Sequence, residues 1–263
     1  MFQRPRILLP TNVILAITVL LCIVNSSSKA NSQQLKAEDA EKFQSQIFHG
    51  EQVPSIPEYL SKTTGDFTVT SDADREGLLA FGINAPAYPP EWLVDLSCDA
   101  DAVVIATPVK GVSHMTSDHM FIYSDWTMHI QSVLQDTPKA PLGNSEMIVV
   151  VRPGGKLYIN GRTVNGVAWD FPEFQPDAEY LLFLTYIPQT GAFAVRTRRA
   201  FNLSFDPRKI DKSHQYKRGE SRSPEEGQYA LANSASPDEL VINARAAIAY
   251  AAGKTTCKKE GNQ

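Results

Sequence analysis

The densest group of potential metal ligands in the chain is His114, Asp118, His119 and His129. Imidazole and carboxylate together suit zinc or copper. His114 and His119 sit in the turn-like stretch Ser113-His114-Met115-Thr116-Ser117-Asp118-His119, whose spacing fixes no shared face. Convergence with Asp125 or His129 would require a hairpin; solvated loop histidines are the competing reading, and no metal is assigned. A second group, Arg152-Pro153-Gly154-Gly155-Lys156, offers an anion two cations and flexible backbone amides. A nucleotide phosphate loop needs a following helix and a Lys-Ser/Thr pair. Leu157-Tyr158-Ile159 is strand-like instead, so no cofactor is expected. The glycines then read as a turn, with Arg152 capping the end of a β domain. Asp170, Glu173, Asp177 and Glu179 stand around Trp169 and Phe171. Paired carboxylates beside an aromatic platform are what glycoside chemistry uses, but Pro172 and Pro176 make this a solvent-facing connection. No Gly-x-Ser-x-Gly elbow supports a hydrolase, and no residue is given a catalytic role.

Arg196, Arg198 and Arg199 open a basic stretch that continues through Arg208, Lys209, Lys212, Lys217, Arg218 and Arg222. It suits anionic headgroups, a polysaccharide or the acidic segment 31–95, with a solvated loop face as the plain alternative. Aromatic side chains do not alternate with these cations as they do in single-strand binders, so nucleic acid is not an expected partner. The candidate binding residues are therefore Arg152, Lys156, Arg196, Arg198 and Arg199. Asn202-Leu203-Ser204 is a glycosylation sequon, relevant if the source is eukaryotic.

These groups sit in a chain of 263 residues with 25 Lys and Arg against 29 Asp and Glu, a net charge of −4. A hydrophobic fraction of 43% with 21% charged residues is globular composition and allows one or two domains. No apolar run of about 20 residues follows the N-terminal region, which excludes a multi-spanning transporter. The first thirty residues read as a signal peptide: Arg4 and Arg6, an apolar run from Val13 to Val24, then Ser28-Lys29-Ala30 for cleavage. An uncleaved anchor is the alternative. Cleavage near Ala30 yields a secreted or periplasmic chain with 22 basic and 29 acidic residues, its excess negative charge confined to 31–95. Cys98 and Cys257 then remain, and an even pair in an oxidising compartment reads as a disulfide. Two unpaired thiols are the competing reading.

Leu35 to Phe48 has helical spacing at Leu35, Ala40, Phe43 and Ile47. Residues 49–97, broken by prolines and glycines, read as an irregular connector that Pro89-Pro90 and Trp92-Leu93 pin to the body. The stretch 98–205 is β-rich. Ala102–Val109 suits a strand buried on both faces. In Phe121–Leu134, Tyr123, Asp125, Thr127 and His129 alternate with apolar residues until a slip near Ser132-Val133 suggests a bulge. Met147–Val151 is a further strand. Asn160-Gly161 predicts a two-residue hairpin, and Pro188-Gln189-Thr190-Gly191 a four-residue one. Ser236-Pro237-Asp238-Glu239 is a capping box before the stripe Leu240, Ala244, Ala247, Ile248 and Ala251, and Gly253 closes that helix.

Cys98-Asp99-Ala100-Asp101-Ala102-Val103-Val104-Ile105-Ala106, with the distant Cys257 beyond a terminal helix, resembles the netrin-like, metalloproteinase-inhibitor-like OB fold. That opening, with Arg152-Pro153-Gly154-Gly155 and Tyr180-Leu181-Leu182-Phe183-Leu184, is also similar to uncharacterised exported bacterial proteins. The resemblance covers 98–257 and implies a mainly β fold: a five- or six-stranded OB-like barrel with a C-terminal α-helix and an irregular N-terminal extension. It implies a binding habit without the inhibitors' mechanism, because their leading Cys is the mature N-terminus and Cys98 is internal. The expected organisation is a signal peptide 1–30, an acidic extension 31–97, a barrel domain 98–257 and a tail 258–263. The expected function is an exported, non-catalytic module binding a protein or an envelope polymer. The alternative is a hydrolase acting on envelope material through the 170–179 loop.

Overall fold

A computed structural model describes residues 37–45, 47, 55–71, 88–138, 140, 142, 146–168, 171, 173–196, 198–205, 232, 234–253 and 257. The signal-like segment 1–30, the basic stretch from Arg208 to Arg222, the tail 258–263, and Trp169, Asp170 and Pro172 lie outside the described residues. In chain order the elements are α1 (Ala37–Ser45), α2 (Ile56–Lys62), β1 (Phe67–Ser71), α3 (Glu91–Asp99), β2 (Ala102–Met115) and β3 (Ile122–Asp136). There follow β4 (Met147–Pro153), β5 (Gly155–Ile159), β6 (Arg162–Ala168), β7 (Tyr180–Ile187), β8 (Ala192–Ala194), β9 (Ala200–Asn202) and α4 (Pro237–Gly253).

The fold is mainly β with a C-terminal helix, but the strands do not make the one closed barrel that the sequence suggests. They divide into a six-stranded sheet and a three-stranded sheet, β1-β6-β5. In the larger sheet β2 pairs antiparallel with β3 over its whole length and with β7 from Ala102↔Leu184 to Ala106↔Tyr180. Next come β3–β4, then a parallel β4–β8 seam of only two residue pairs, Val150↔Phe193 and Val151↔Ala194. The register of β2 on β3 slips where Val103, Val104, Ile105 and Ala106 face Gln135, Val133, Ser132 and Ile130. Gln131 and Leu134 are thus the extra residues, close to the slip in the sequence pattern. Each bulge bends and twists the long β2–β3 ribbon.

Two apolar layers explain the continuous apolar runs of β2 and β7. Ala102, Val104, Ala106, Leu182 and Leu184 face one core with Met128, Val150 and Phe193. Val103, Leu181 and Phe183 face the other, beneath α3 and α4. The predicted cap of α4 forms: the Glu239 amide donates to Ser236 Oγ at 3.2 Å, and the Ala235 amide donates to Glu239 Oε2 at 2.7 Å. Leu240, Ala244, Ala247 and Ala251 are its buried stripe. α3 sits where an irregular connector was expected. Pro90 precedes it, Glu91 favours its positive end, and Leu93, Val94, Leu96 and Ser97 are buried. Cys98 in its last turn is bonded to Cys257, with Cα atoms 4.9 Å apart, and staples α3 to the end of α4.

The rest of the supposed connector is also partly regular. β1 lies parallel to β6, Phe67↔Val164 to Ser71↔Ala168, and α2 buries Ile56 and Leu60 against Ile122 and Val164. The chain leaves β4 for β5 through Gly154 (φ 87°) and Gly155 (φ 151°). A Cβ at Gly155 would collide with the hydroxyls of Ser113 and Ser124. Those hydroxyls lie 3.0 Å apart, Ser124 Oγ donates to Gly154 O at 2.7 Å, and the Lys156 amide donates to Ser113 Oγ at 3.0 Å. The glycine pair is therefore where the small sheet crosses the large one. The Asn160-Gly161 hairpin forms as expected, with both residues at positive φ (51° and 79°).

Candidate binding face

Strand alternation puts Tyr123, Asp125, Thr127 and His129 on one face of β3. Register adds Val151, Val149 and Met147 from β4, and Val112 and Lys110 from β2. This outer face is unevenly covered. Near the β4–β8 seam a groove of about 280 Å³ takes in Thr127, Met147 and Val149 of this face together with Tyr186 and with Leu142, Ile148 and Phe193, which belong to the first core. Met147 and Val149 are 42% and 39% exposed, so the groove is open and apolar. Its volume lies just below that of sites that enclose a small molecule. A shallow strip of this kind offers contact along a segment, not enclosure.

At the other end of the same face, α1 lies over the sheet. Tyr123 Oη donates to Glu41 O at 3.3 Å, Ser45 Oγ and Ser117 Oγ are 3.0 Å apart, and Gln44 and Ser45 are buried. Phe43, one of the apolar residues at helical spacing, is 37% exposed. Beside α1, His114 Nε2 is 3.4 Å from Asp125 Oδ2, and the His114 ring stacks on Tyr123 at 5.3 Å. Asp125 Oδ1 is buried without a hydrogen-bond donor among the described residues. Burial pushes the Asp125 carboxyl up to about 6; His114 opposes that rise and Glu41 adds to it. Burial likewise raises the Tyr123 phenol, with Asp125 and Glu41 contributing.

Of the metal-ligand candidates, the structure brings together only His114 and Asp125. His129 Nδ1 is 3.0 Å from Gln131 Nε2, and Asp118 Oδ1 accepts from Thr116 Oγ1 and the Met120 amide within its own turn. No group of three His, Cys, Asp or Glu side chains that could hold a metal ion occurs among the described residues. The Arg152-Lys156 cradle does not form either. Arg152 is 3% exposed, its Nη2 donating to Phe171 O at 3.0 Å, and its guanidinium lies 4.5 Å and 5.3 Å from the Phe171 and Phe174 ring centroids. Burial lowers this guanidinium to about 10, with Glu173 and Tyr180 opposing the fall, so it stays charged at neutral pH. Arg152 Nε and Trp126 Nε1 are buried without acceptors among the described residues, both against Phe174. Lys156 is exposed on β5.

Arg196 is exposed, Arg198 occupies a turn at φ 62°, and Arg199 Nη2 donates to Asp99 Oδ2 at 3.1 Å beside the disulfide. In the 170–179 loop, Phe171 and Phe174 are buried, while Glu173, Asp177 and Glu179 face solvent. Asn202 of the sequon is buried in β9, and its Oδ1 accepts from the Ser204 amide. No protein-family model matches the chain, and no curated protein is detectably similar to it. The apolar groove was missed by sequence reasoning because Met147 and Val149 look like ordinary core residues. The polar set Tyr123, Asp125, Thr127 and His129 was the available signal that this side of β3 faces outward.

Proposed function

We propose that the chain is an exported, non-catalytic binding module with an OB-like core, and that the outer β3–β4 face receives an extended segment of a partner protein. The observation that carries this is the open apolar groove at Thr127, Met147 and Val149. Its apolar lining favours a protein segment over a polar envelope polymer. Support for an OB-like core comes from the order of pairing. β2 holds β3 on one side and β7 on the other, while β4 and β8 meet only through a two-pair seam, an arrangement that suits a partly open core. OB folds are five-stranded, partly open Greek-key barrels that present their ligands on the second and third strands. Counted from β2, those strands are β3 and β4. The Cys98–Cys257 bridge supports export, since such bonds persist in oxidising compartments. Among the described residues no helix is long and apolar enough to cross a membrane.

The test is a photo-crosslinking residue at Val149, or at Tyr158 on the small sheet as control, in the cells that make the protein. We expect Val149 to capture a discrete protein product that Tyr158 does not, and Met147→Asp to abolish it. Equal capture at both positions, or none at Val149, would refute the assignment.

A further inference from the structure

We propose that α1 is a proton-controlled strap on this face: a proton on Asp125 holds the helix down, and its loss loosens it. The inference rests on the binding-face reading for its purpose, but the docking of α1 is measurable without any ligand. Asp125 shares a face with Thr127 and Val149, so the strap and the open groove are neighbours on one surface. The groups facing Asp125 are His114 from β2, Tyr123 from its own strand and Glu41 from α1; β4 presents apolar Val151. Tyr123 is half of the α1 seat, through its bond to Glu41 O.

With Asp125 protonated, the site beside α1 carries less negative charge and Asp125 needs less hydration. Ionisation leaves a carboxylate whose Oδ1 has no donor among the described residues and which repels Glu41. Water reaches that oxygen most readily when α1 lifts. Because covering Asp125 favours its protonated form, linkage requires protonation to favour covering. Lifting would uncover Tyr123 and Asp125 and lengthen the face available to a partner. Acid would shorten it.

Hydrogen exchange of amides 41–45 in the full exported chain, corrected for intrinsic rates and compared at pH 5 and pH 8, tests this. Protection should fall by up to about 100-fold at pH 8, the limit set by the displaced Asp125 titration. Amides of β7 should show no such loss. Asp125→Asn should keep α1 protected at both pH values. Should that variant not fold, Glu41→Gln should move the midpoint of the change to lower pH. Equal protection of 41–45 at both pH values in the native chain, or an unmoved midpoint in Glu41→Gln, overturns the strap. Neither result bears on crosslinking at Val149, so the two readings fail separately.

Discussion

Replacing Arg152 separates what its charge does from what its volume does. The side chain is buried against Phe171 and Phe174 and, among the described residues, makes one hydrogen bond, to Phe171 O. Bringing a guanidinium down to about 10 corresponds to about 3 kcal/mol against the charged form. Opposing this are one charged hydrogen bond, about 2 kcal/mol, and two ring contacts of about 1 kcal/mol each. The two sides nearly cancel. Arg152→Met keeps most of the volume and adds sulfur–aromatic contact, so it should lose only about 1 kcal/mol. Arg152→Ala also empties the space among the rings and should lose about 4 kcal/mol, as large-to-small core changes do. Urea unfolding at pH 7.5, with midpoints and slopes fitted for all three proteins, measures both. If Arg152→Met lost as much as Arg152→Ala, the charge itself would be closing the 171–179 loop, and burial and attraction would not be near balance. If both variants matched the native protein, the loop would not be packed on Arg152 at all.

Removing the bridge with Cys98→Ser and Cys257→Ser should lower stability by up to about 5 kcal/mol, the denatured-state entropy of a 159-residue separation; equal urea midpoints for bridged and unbridged protein would contradict this. Gly155→Ala should prevent folding or cost several kcal/mol, whereas Gly191→Ala, at φ 71° with open space around it, should cost about 1–2 kcal/mol; circular dichroism melts rank the two. The Asp125 carboxyl is higher in the folded chain than in the unfolded one, so its contribution to stability is fullest below about pH 4 and is lost as pH rises through about 6. Native stability should therefore fall relative to Asp125→Asn by up to about 3 kcal/mol between pH 4 and 8, and parallel profiles for the two proteins would count against the buried carboxylate.

Local signals in the sequence translated directly into structure. Asn160-Gly161 makes its turn because both positions need positive φ, and Ser236 and Glu239 cap α4 through bonds within a few residues. The Cys98–Cys257 pairing followed from there being two cysteines after Ala30. Features set by distant partners were not legible. α3 is two turns behind a Pro-Pro pair, and its stripe gains meaning only against Leu181, Phe183 and α4. β1 finds its partner in β6, in another part of the chain. Arg152 looks like surface because cations usually are; its burial depends on Phe171 and Phe174 folding over it. The candidate face was half legible, through the polar alternation along β3. What covers one end and leaves the other open depends on α1 and the β7–β8 hairpin.

The parallel pairing of β1 with β6 sets an order of events during synthesis. Phe67 emerges from the ribosome roughly a hundred residues before Val164, and must wait for it with its backbone groups unpaired. A nascent chain held in that interval presents an open strand, the feature on which chains pair with the wrong neighbour. The converse holds for a trimmed chain. A protein cut to begin at Cys98 would leave β6 with an exposed edge and the Leu181–Phe183 surface without most of α3, so β1 and α3 complete surfaces built by residues far downstream.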